Sequence, residues 1–188
     1  MGVFFLNFFR CRSSLVTHLF SFSFLFFSFF PLVDPSGNPE TVALVTATRA
    51  IVTNARSPVS VPASVAQCEL VGGGSLGSCA ATTASNTFVR PTGVAILGST
   101  AFVVDEADKT ANAGFVSQCA LDASGVITSC VVPPVASWLL SRPYGIAIQN
   151  NIAYIPSNTA NAVTRCTISA AGSITSCSDS PPTNGLGW

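Results

Sequence analysis

Short apolar runs separated by turn-forming residues recur along most of the chain, and they are clearest towards the C-terminus. There the pattern predicts four strands: Ile146–Ile148, Ile152–Ile155, Ala162–Ile168 and Ser173–Cys177. Such runs are too short for helices. The residues between them, Asn150-Asn151 and Ala171-Gly172, suit tight turns because Asn and Gly tolerate positive φ. The segment therefore predicts an antiparallel meander of short strands.

The same pattern occurs upstream, which makes the sequence an internal repeat. The second unit predicts strands at Gly93–Ile96, Ala101–Val104, Phe115–Leu121 and Val126–Cys130. Its "RPTGVAI" matches "RPYGIAI" of the third unit, whereas a weaker first unit begins at Thr41, where the others have Gly. Equivalent cysteines lie 51 and 47 residues apart, and repeats of roughly 40–50 residues are typical of four-stranded propeller blades.

These observations predict an all-β fold of about three four-stranded antiparallel blades, a partial β-propeller. The domain covers residues 34–188, with units at about 41–79, 93–130 and 145–177. Closing a propeller takes about four to eight blades, so we expect a fragment of a longer repeat protein, or self-association that completes the ring. Apolar residues predicted to lie on the open faces and to favour association are Ile96, Phe102, Ile146 and Tyr154.

Each unit carries two cysteines 11 positions apart, namely Cys68 and Cys79, Cys119 and Cys130, and Cys166 and Cys177. A two-residue turn at Ser124-Gly125 would place Cys119 opposite Cys130, with Cβ atoms about 4.5–5.5 Å apart, close to disulfide reach. A type I turn with a Gly bulge at Asp122–Gly125 would shift this register by one residue. We predict a disulfide within each hairpin. Zinc is the alternative, but the close-spaced Cys pairs usual in zinc sites are absent.

The first 33 residues differ in composition from the rest. They hold 11 of the 14 Phe residues, Arg10, Arg12 and no acidic residue, followed by an apolar stretch from Leu15 to Val33. Roughly 20 apolar residues behind a basic flank are typical of a signal peptide or a signal-anchor transmembrane segment. Both predict a secreted or membrane-anchored protein outside the cytosol; the alternative is an extension from a wrongly chosen start codon. Cys11 is either a palmitoylation site or an inert leader residue.

The charge of residues 34–188 is close to neutral, with six basic and eight acidic side chains. Phosphate binding needs clustered positive charge, so the composition argues against a nucleic-acid partner. Expected partners are instead a protein or carbohydrate ligand, and the membrane through the N-terminal segment.

Two motif matches in the first unit do not predict enzymatic sites. Gly73 to Gly77 fits the G-x-S-x-G pattern of serine hydrolases, and Gly72 to Gly77 fits the dinucleotide fingerprint. A nucleophile elbow needs a strand-to-helix turn and a catalytic base, but this stretch occupies a hairpin turn and the only histidine, His18, lies in the leader. No helical period follows the glycines, so the sequence predicts neither a nucleophile nor a cofactor.

One acidic cluster, Asp105-Glu106-x-Asp108, follows the second strand of the second unit. Its carboxylates would suit Ca²⁺. The third unit has no equivalent acids, which favours a solvated loop. Arg90 and Arg142 both precede Pro-x-Gly, where they would line a mouth that attracts anions or bond loop carbonyls of neighbouring blades.

The segments "RPTGVAI…AFVVDEA…VSQCALDASGVITSC" and "RPYGIAI…AYIPSNT…VTRCTISAAGSITSC" resemble the NHL-like and YncE-like superfamily of β-propeller repeats. The resemblance covers about residues 41–177. It implies a propeller fold and a role as a binding platform, an assembly module or, occasionally, an enzyme. Similar lactonases and hydrolases hold a metal with inward-facing acidic residues and Asn, and no such set is matched here, so no catalytic or metal-binding residue is predicted.

The resulting expectation is a non-catalytic extracellular or membrane-tethered binding or scaffold module. Two alternatives remain open. One is a propeller-type hydrolase whose site is completed by missing blades, and the other is a nonfunctional partial duplicate.

Overall fold

The structure is a computed structural model, which describes residues 38–56, 64–82, 88–106, 114–134, 140–157 and 162–180. These residues form three four-stranded antiparallel sheets, each a meander of consecutive strands. The described part of the chain contains no α-helix. The predicted all-β fold with three blade-like units is therefore confirmed, and the three sheets do not close into a ring.

The strands follow the predicted units closely. The first sheet consists of β1 Asn38–Thr46, β2 Arg49–Arg56, β3 Ser64–Val71 and β4 Ser75–Ala81. The second consists of β5 Pro91–Leu97, β6 Thr100–Asp105, β7 Phe115–Leu121 and β8 Ile127–Val131. The third consists of β9 Ala147–Gln149, β10 Ile152–Ser157, β11 Ala162–Ile168 and β12 Ile174–Ser180.

The second sheet lies between the other two, and alternation along its strands gives it two apolar faces. Val94, Ala101 and Val103 pack with residues of the first sheet, such as Ile51. Phe102 of the second sheet belongs to a different core that includes residues of the third sheet. Because successive side chains of a strand point to opposite faces, adjacent residues such as Ala101 and Phe102 serve different interfaces.

All three sheets have the same orientation relative to their neighbours. In each of them a buried alanine of the second strand pairs with the first cysteine of the hairpin, as Ala50, Ala101 and Ala153 do. Cys119 and Cys130 pack towards the first sheet, and Cys166 and Cys177 pack towards the second. In the second and third sheets the disulfide therefore lies on the face that meets the preceding sheet, and the repeat is directional.

The prediction that four apolar residues lie on open faces is wrong for three of them. Phe102 and Ile146 are buried in the core between the second and third sheets, and Ile96 packs against the core between the first and second. The reason is that two sheets of this chain already cover each other at these positions. Only Tyr154 lies on a face without a neighbouring described sheet, the outer face of the third sheet.

The predicted leader, residues 1–33, lies outside the described residues. Among the described residues, no helix is long and apolar enough to cross a membrane.

Candidate functional site

The three predicted disulfides are present, and each joins the last two strands of one sheet. The pairs are Cys68–Cys79, Cys119–Cys130 and Cys166–Cys177. In every case the two cysteines are direct cross-strand partners. Their Cα atoms are 4.0, 4.0 and 4.1 Å apart. This arrangement leaves the six cysteines of the described sheets without a role in metal binding.

The hairpin turns of the second and third sheets are the bulged type rather than the two-residue type. The amide of Gly125 donates to Asp122 O at 2.9 Å, and Gly125 has a φ of 81°. This is a type I turn followed by a left-handed glycine. The bulged turn of the alternative is therefore present, and it shifts the pairing next to the turn by one residue. A second irregularity, between the pairs Leu121–Ile127 and Ala120–Ser129, restores the register before the cysteines are reached.

The acidic cluster after β6 is not a solvated loop, because Asp105 and Glu106 are fully buried. Asp105 accepts hydrogen bonds from the amides of Val89 (2.8 Å) and Arg90 (2.9 Å). These amides belong to the segment that precedes β5. The carboxylate therefore fixes the entry to the inner strand. Its burial is tolerated because the two amide hydrogen bonds compensate for the lost hydration of the carboxylate. Asp108, the third member of the predicted cluster, lies outside the described residues.

The buried carboxylate of Glu106 forms an ion cluster with the two partly exposed arginines that the sequence analysis singled out. Arg142 approaches one carboxylate oxygen with Nε and Nη2, both at 2.8 Å, and Arg90 Nη1 lies 2.9 Å from the other oxygen. The contact of Arg142 is a hydrogen bond. The contact between Arg90 Nη1 and Glu106 Oε2 is an ion pair without hydrogen-bond geometry. Arg90 enters the second sheet and Arg142 the third, so this cluster joins neighbouring units.

Both predictions for these arginines need correction. They are not free to attract an anion, and they reach the neighbouring unit through a carboxylate rather than through loop carbonyls. The hydrogen bond to Glu106 raises the pKa of the Arg142 guanidinium. Arg142 Nη2 also lies 2.8 Å from the Tyr144 hydroxyl oxygen. The sequence offered one signal, a repeated arginine before Pro-x-Gly, but nothing in it showed that Glu106 lies between the two.

No metal or nucleophile site emerges from the described residues. They contain no group of three or more His, Cys, Asp or Glu side chains placed to hold a metal ion. The G-x-S-x-G match lies in a hairpin, as expected, since its glycines form a short 3-10 turn at Gly72–Gly74 and Ser75 begins strand β4.

The junction between the second and third sheets includes a close approach of two backbones. A Cβ atom added to Gly93 would lie only 2.7 Å from the Cα atom of Gly145. Glycine is therefore needed at position 93 so that the start of the next inner strand can come this close. Gly145 itself is the equivalent residue of the third unit, and a Cβ added there would meet no described atom within 4 Å.

Hydrogen bonds from side chain to backbone also connect successive sheets. Thr41 Oγ1 donates to Thr92 O at 2.8 Å, and Thr92 Oγ1 donates to Pro143 O at 3.0 Å. At the outer end, Gln118 Nε2 donates to Gly172 O in the last turn of the third sheet at 2.8 Å. Gln67 occupies the same position in the first sheet, but its Nε2 has no hydrogen-bond partner within the described part of the chain.

The outer face of the third sheet carries the residues equivalent to those that form these contacts. Arg165 precedes Cys166 as Gln118 precedes Cys119, and its guanidinium carbon lies 5.9 Å from the centroid of the Tyr154 ring. An open groove of about 460 Å³ lies at the inner edge of the second and third sheets, and its lining includes Ile96 and Leu97 of the second sheet and Ala147 and Tyr154 of the third. This exposed face is the candidate binding site.

No protein-family model matches the chain, and no curated protein is significantly similar to it. The resemblance to NHL-like and YncE-like repeats therefore stays a prediction that rests on the residues quoted above.

Proposed function

We propose that this protein is an exported, non-catalytic scaffold of blade-like repeats, which binds a partner through the outer face of its third sheet. The observation that carries this proposal is Gly145. Its backbone needs no left-handed conformation, and among the described residues no atom lies within 4 Å of the position that a Cβ would take. The equivalent Gly93 is required only because another strand approaches it. Gly145 is explained in the same way if a partner's backbone approaches the third sheet.

The charged residues of the central region support a structural role. Glu106 and Asp105 are the acidic residues nearest to the inner strands of the second unit, and both are occupied by partners within the chain. Removing either from its partners to hold a ligand would leave arginines or backbone amides unpaired, which is costly in a buried position.

The three disulfides support a location outside the cytosol, since such bonds persist in oxidising compartments and are rare in the cytosol. We propose that residues 1–33 direct this export, either as a cleaved signal or as an anchor.

The proposal is tested by expressing the full chain in a host with an oxidising secretory pathway. We expect the protein in the medium or in alkali-washed membranes, with non-reducing mass mapping that finds the three hairpin disulfides. A reduced protein that stays in the cytosol would contradict export. Metal-dependent turnover of a lactone or ester that is lost on Glu106→Gln, in a variant that stays folded, would contradict the non-catalytic assignment.

A further inference from the structure

We infer that the Cys68–Cys79 disulfide is a site of thiol–disulfide exchange, at which a low-molecular-weight thiol becomes attached to Cys79. The thiolate attacks Cys79 Sγ, so that a bond forms between these two sulfurs and the bond to Cys68 breaks. The electron pair of the broken bond leaves with Cys68 Sγ, which takes up a proton from water. The exchange needs no oxidant, because one disulfide replaces another. It is independent of the partner proposed for the third sheet.

The three disulfides of the described sheets occupy equivalent positions but differ in exposure. In each sheet the second cysteine lies on the last strand and is the direct cross-strand partner of the first. Cys79 is exposed, Cys177 is partly buried and Cys130 is only 8% exposed. Because the strand pairing is the same in all three hairpins, the difference in exposure comes from what packs on each of them.

Neighbouring sheets account for the protection of the second and third disulfides. Cys119 and Cys130 belong to the core between the first and second sheets. Cys166 belongs to the core between the second and third sheets, and Cys177 packs against it. The cysteines of the first sheet belong to neither of these cores, and no described sheet precedes the first one. The disulfide of the first sheet is therefore the one that a dissolved thiol reaches.

The two cysteines of this disulfide are not equivalent, because Cys68 has no exposed surface. A thiolate has to reach the sulfur that it attacks, so Cys79 is the target and Cys68 is the leaving group. A charged sulfur is costly in a buried position, and Cys68 is therefore released as a neutral thiol. It stays beside the mixed disulfide, where it can attack Cys79 and expel the small thiol again. The attachment is thus reversible.

The first sheet keeps its last hairpin when the disulfide is open, because other contacts join the two strands. Gln67 pairs with Ala80 next to the cysteines, and Ser78 Oγ donates to Glu69 Oε2 at 3.1 Å. A disulfide also contributes less to stability the shorter the loop that it closes, and this one joins residues only 11 positions apart. The exchange therefore modifies a folded protein.

The exchange is tested with the oxidised full chain carrying Cys11→Ser, so that the added thiol is the only free thiol. Reduced glutathione is added under native conditions, the reaction is stopped with acid, and free thiols are blocked with N-ethylmaleimide after unfolding. Mass mapping of peptides should find glutathione on Cys79 and N-ethylmaleimide on Cys68. The other two disulfides should open at least about tenfold more slowly, because a buried sulfur is reached only after a local opening of the fold.

A matched pair of substitutions in the same background separates the two sulfurs of the first disulfide. Cys68→Ala leaves Cys79 as a free thiol, and Cys79→Ala leaves Cys68 as one. In the folded variants, N-ethylmaleimide should label Cys79 at least about tenfold faster than Cys68, since labelling follows access. The two thiols should react at similar rates once both variants are unfolded in urea.

Glutathione that attaches first to a cysteine of the second or third sheet would overturn the inference. Opening of all three disulfides at one rate would also overturn it, because this indicates that the whole domain must unfold. Attachment to Cys68 would contradict the direction of attack, and resistance of all three disulfides to glutathione would contradict the exchange itself. A far-UV circular dichroism spectrum that keeps its strand signal after attachment to Cys79 supports modification of the folded protein.

Discussion

The second and third sheets come from the same repeat but meet different surroundings, since described sheets cover the second on both faces and the third on one. The difference is visible at equivalent positions of their second strands. Phe102 is fully buried against the third sheet, whereas Tyr154 is half-buried on the outer face and lies under Arg165. The third sheet thus has the Tyr154 hydroxyl and the Arg165 guanidinium where the second sheet has Phe102 and Gln118. A tyrosine suits this position because a partly exposed ring can keep its polar end in water.

Polar replacements on this face follow a consistent direction. Gln149 stands where the second sheet has Leu97, and Thr167 stands where it has Ala120. These polar side chains suit a face that no described sheet covers, since they can stay hydrated there. Gly145 does not follow this trend, since it has kept the residue of a covered sheet. A polar face combined with a backbone open to close approach is what a reversible contact requires.

The two sheets also differ in how the entry to the inner strand is fixed. In the second sheet, Asp105 accepts two backbone amides from the segment before β5. In the third, the equivalent Ser157 is buried and its Oγ has no hydrogen-bond partner among the described residues. The entry to the third sheet is instead tied down by Arg142, which reaches Glu106 of the preceding unit. The third unit therefore depends on the second for its own start.

That dependence predicts the largest effect of a single substitution. Glu106→Gln keeps the shape of the side chain but removes the charge that Arg90 and Arg142 share. Breaking a buried ion pair on one side leaves the other charge uncompensated, and the free energy of unfolding should fall by about 3 kcal/mol. Urea denaturation of the oxidised protein measures this change.

Glu69→Gln is the control, since Glu69 is exposed and its carboxylate only accepts a bond from Ser78 Oγ at 3.1 Å. Its effect should stay within about 0.5 kcal/mol. Equal effects of the two substitutions would mean that the ion cluster does not hold the second and third units together.

A reciprocal exchange of aromatic residues should give a smaller effect and tests the comparison directly. Phe102→Tyr adds a hydroxyl at a site with no exposed surface, and an unpaired buried hydroxyl should cost about 1–3 kcal/mol of folding free energy. Tyr154→Phe removes a hydroxyl from a partly exposed ring and should change stability by less than about 0.5 kcal/mol. Thermal unfolding of both variants checks the pair. Similar losses would mean that the two faces are equally covered.

Much of this architecture could be predicted from the sequence, because the relevant information is local and repeated. Strand lengths follow from apolar runs between turn residues, and pairing of Cys119 with Cys130 follows from their place in one hairpin. The bulge that restores the register near Thr128 could not be predicted, since it depends on how the strands twist around the disulfide. At this bulge Thr128 Oγ1 donates a hydrogen bond to Ala120 O across the hairpin at 3.2 Å.

The ion cluster between the second and third units was harder to predict, because its residues come from different units. Arg90, Glu106 and Arg142 are brought together only by the packing of two sheets, and single-unit patterns contain no information about that packing. For the same reason, Asp105 and Glu106 were expected in a solvated loop, whereas the packing of the sheets buries both. The role of Gly145 likewise depends on packing, since only the close approach of Gly145 to Gly93 explains why this position of the repeat is a glycine.

The smallest expected effect distinguishes the hairpin turns of the second and third sheets. Asp122 accepts bonds from the amides of Val126 and Ser124 and from the Ser124 hydroxyl, whereas Ser169 Oγ, at the equivalent position, accepts a single bond from the amide of Ser173. The bond from Val126, followed by that from the Ser124 hydroxyl, lowers the pKa of Asp122 below its usual 3.8.

A carboxyl whose pKa is lower in the folded state stabilises the protein at pH values above the unfolded pKa, and this contribution is lost as the pH falls through the folded pKa. Stability measured by urea denaturation should therefore decline more in the wild type than in Asp122→Ser as the pH falls below about 4, since serine cannot titrate there. Ser169→Ala is the matched control in the third sheet, and it should leave the pH profile unchanged because it removes no titratable group. A wild-type profile that coincides with that of Asp122→Ser would mean that the carboxylate does not hold the turn of the second sheet.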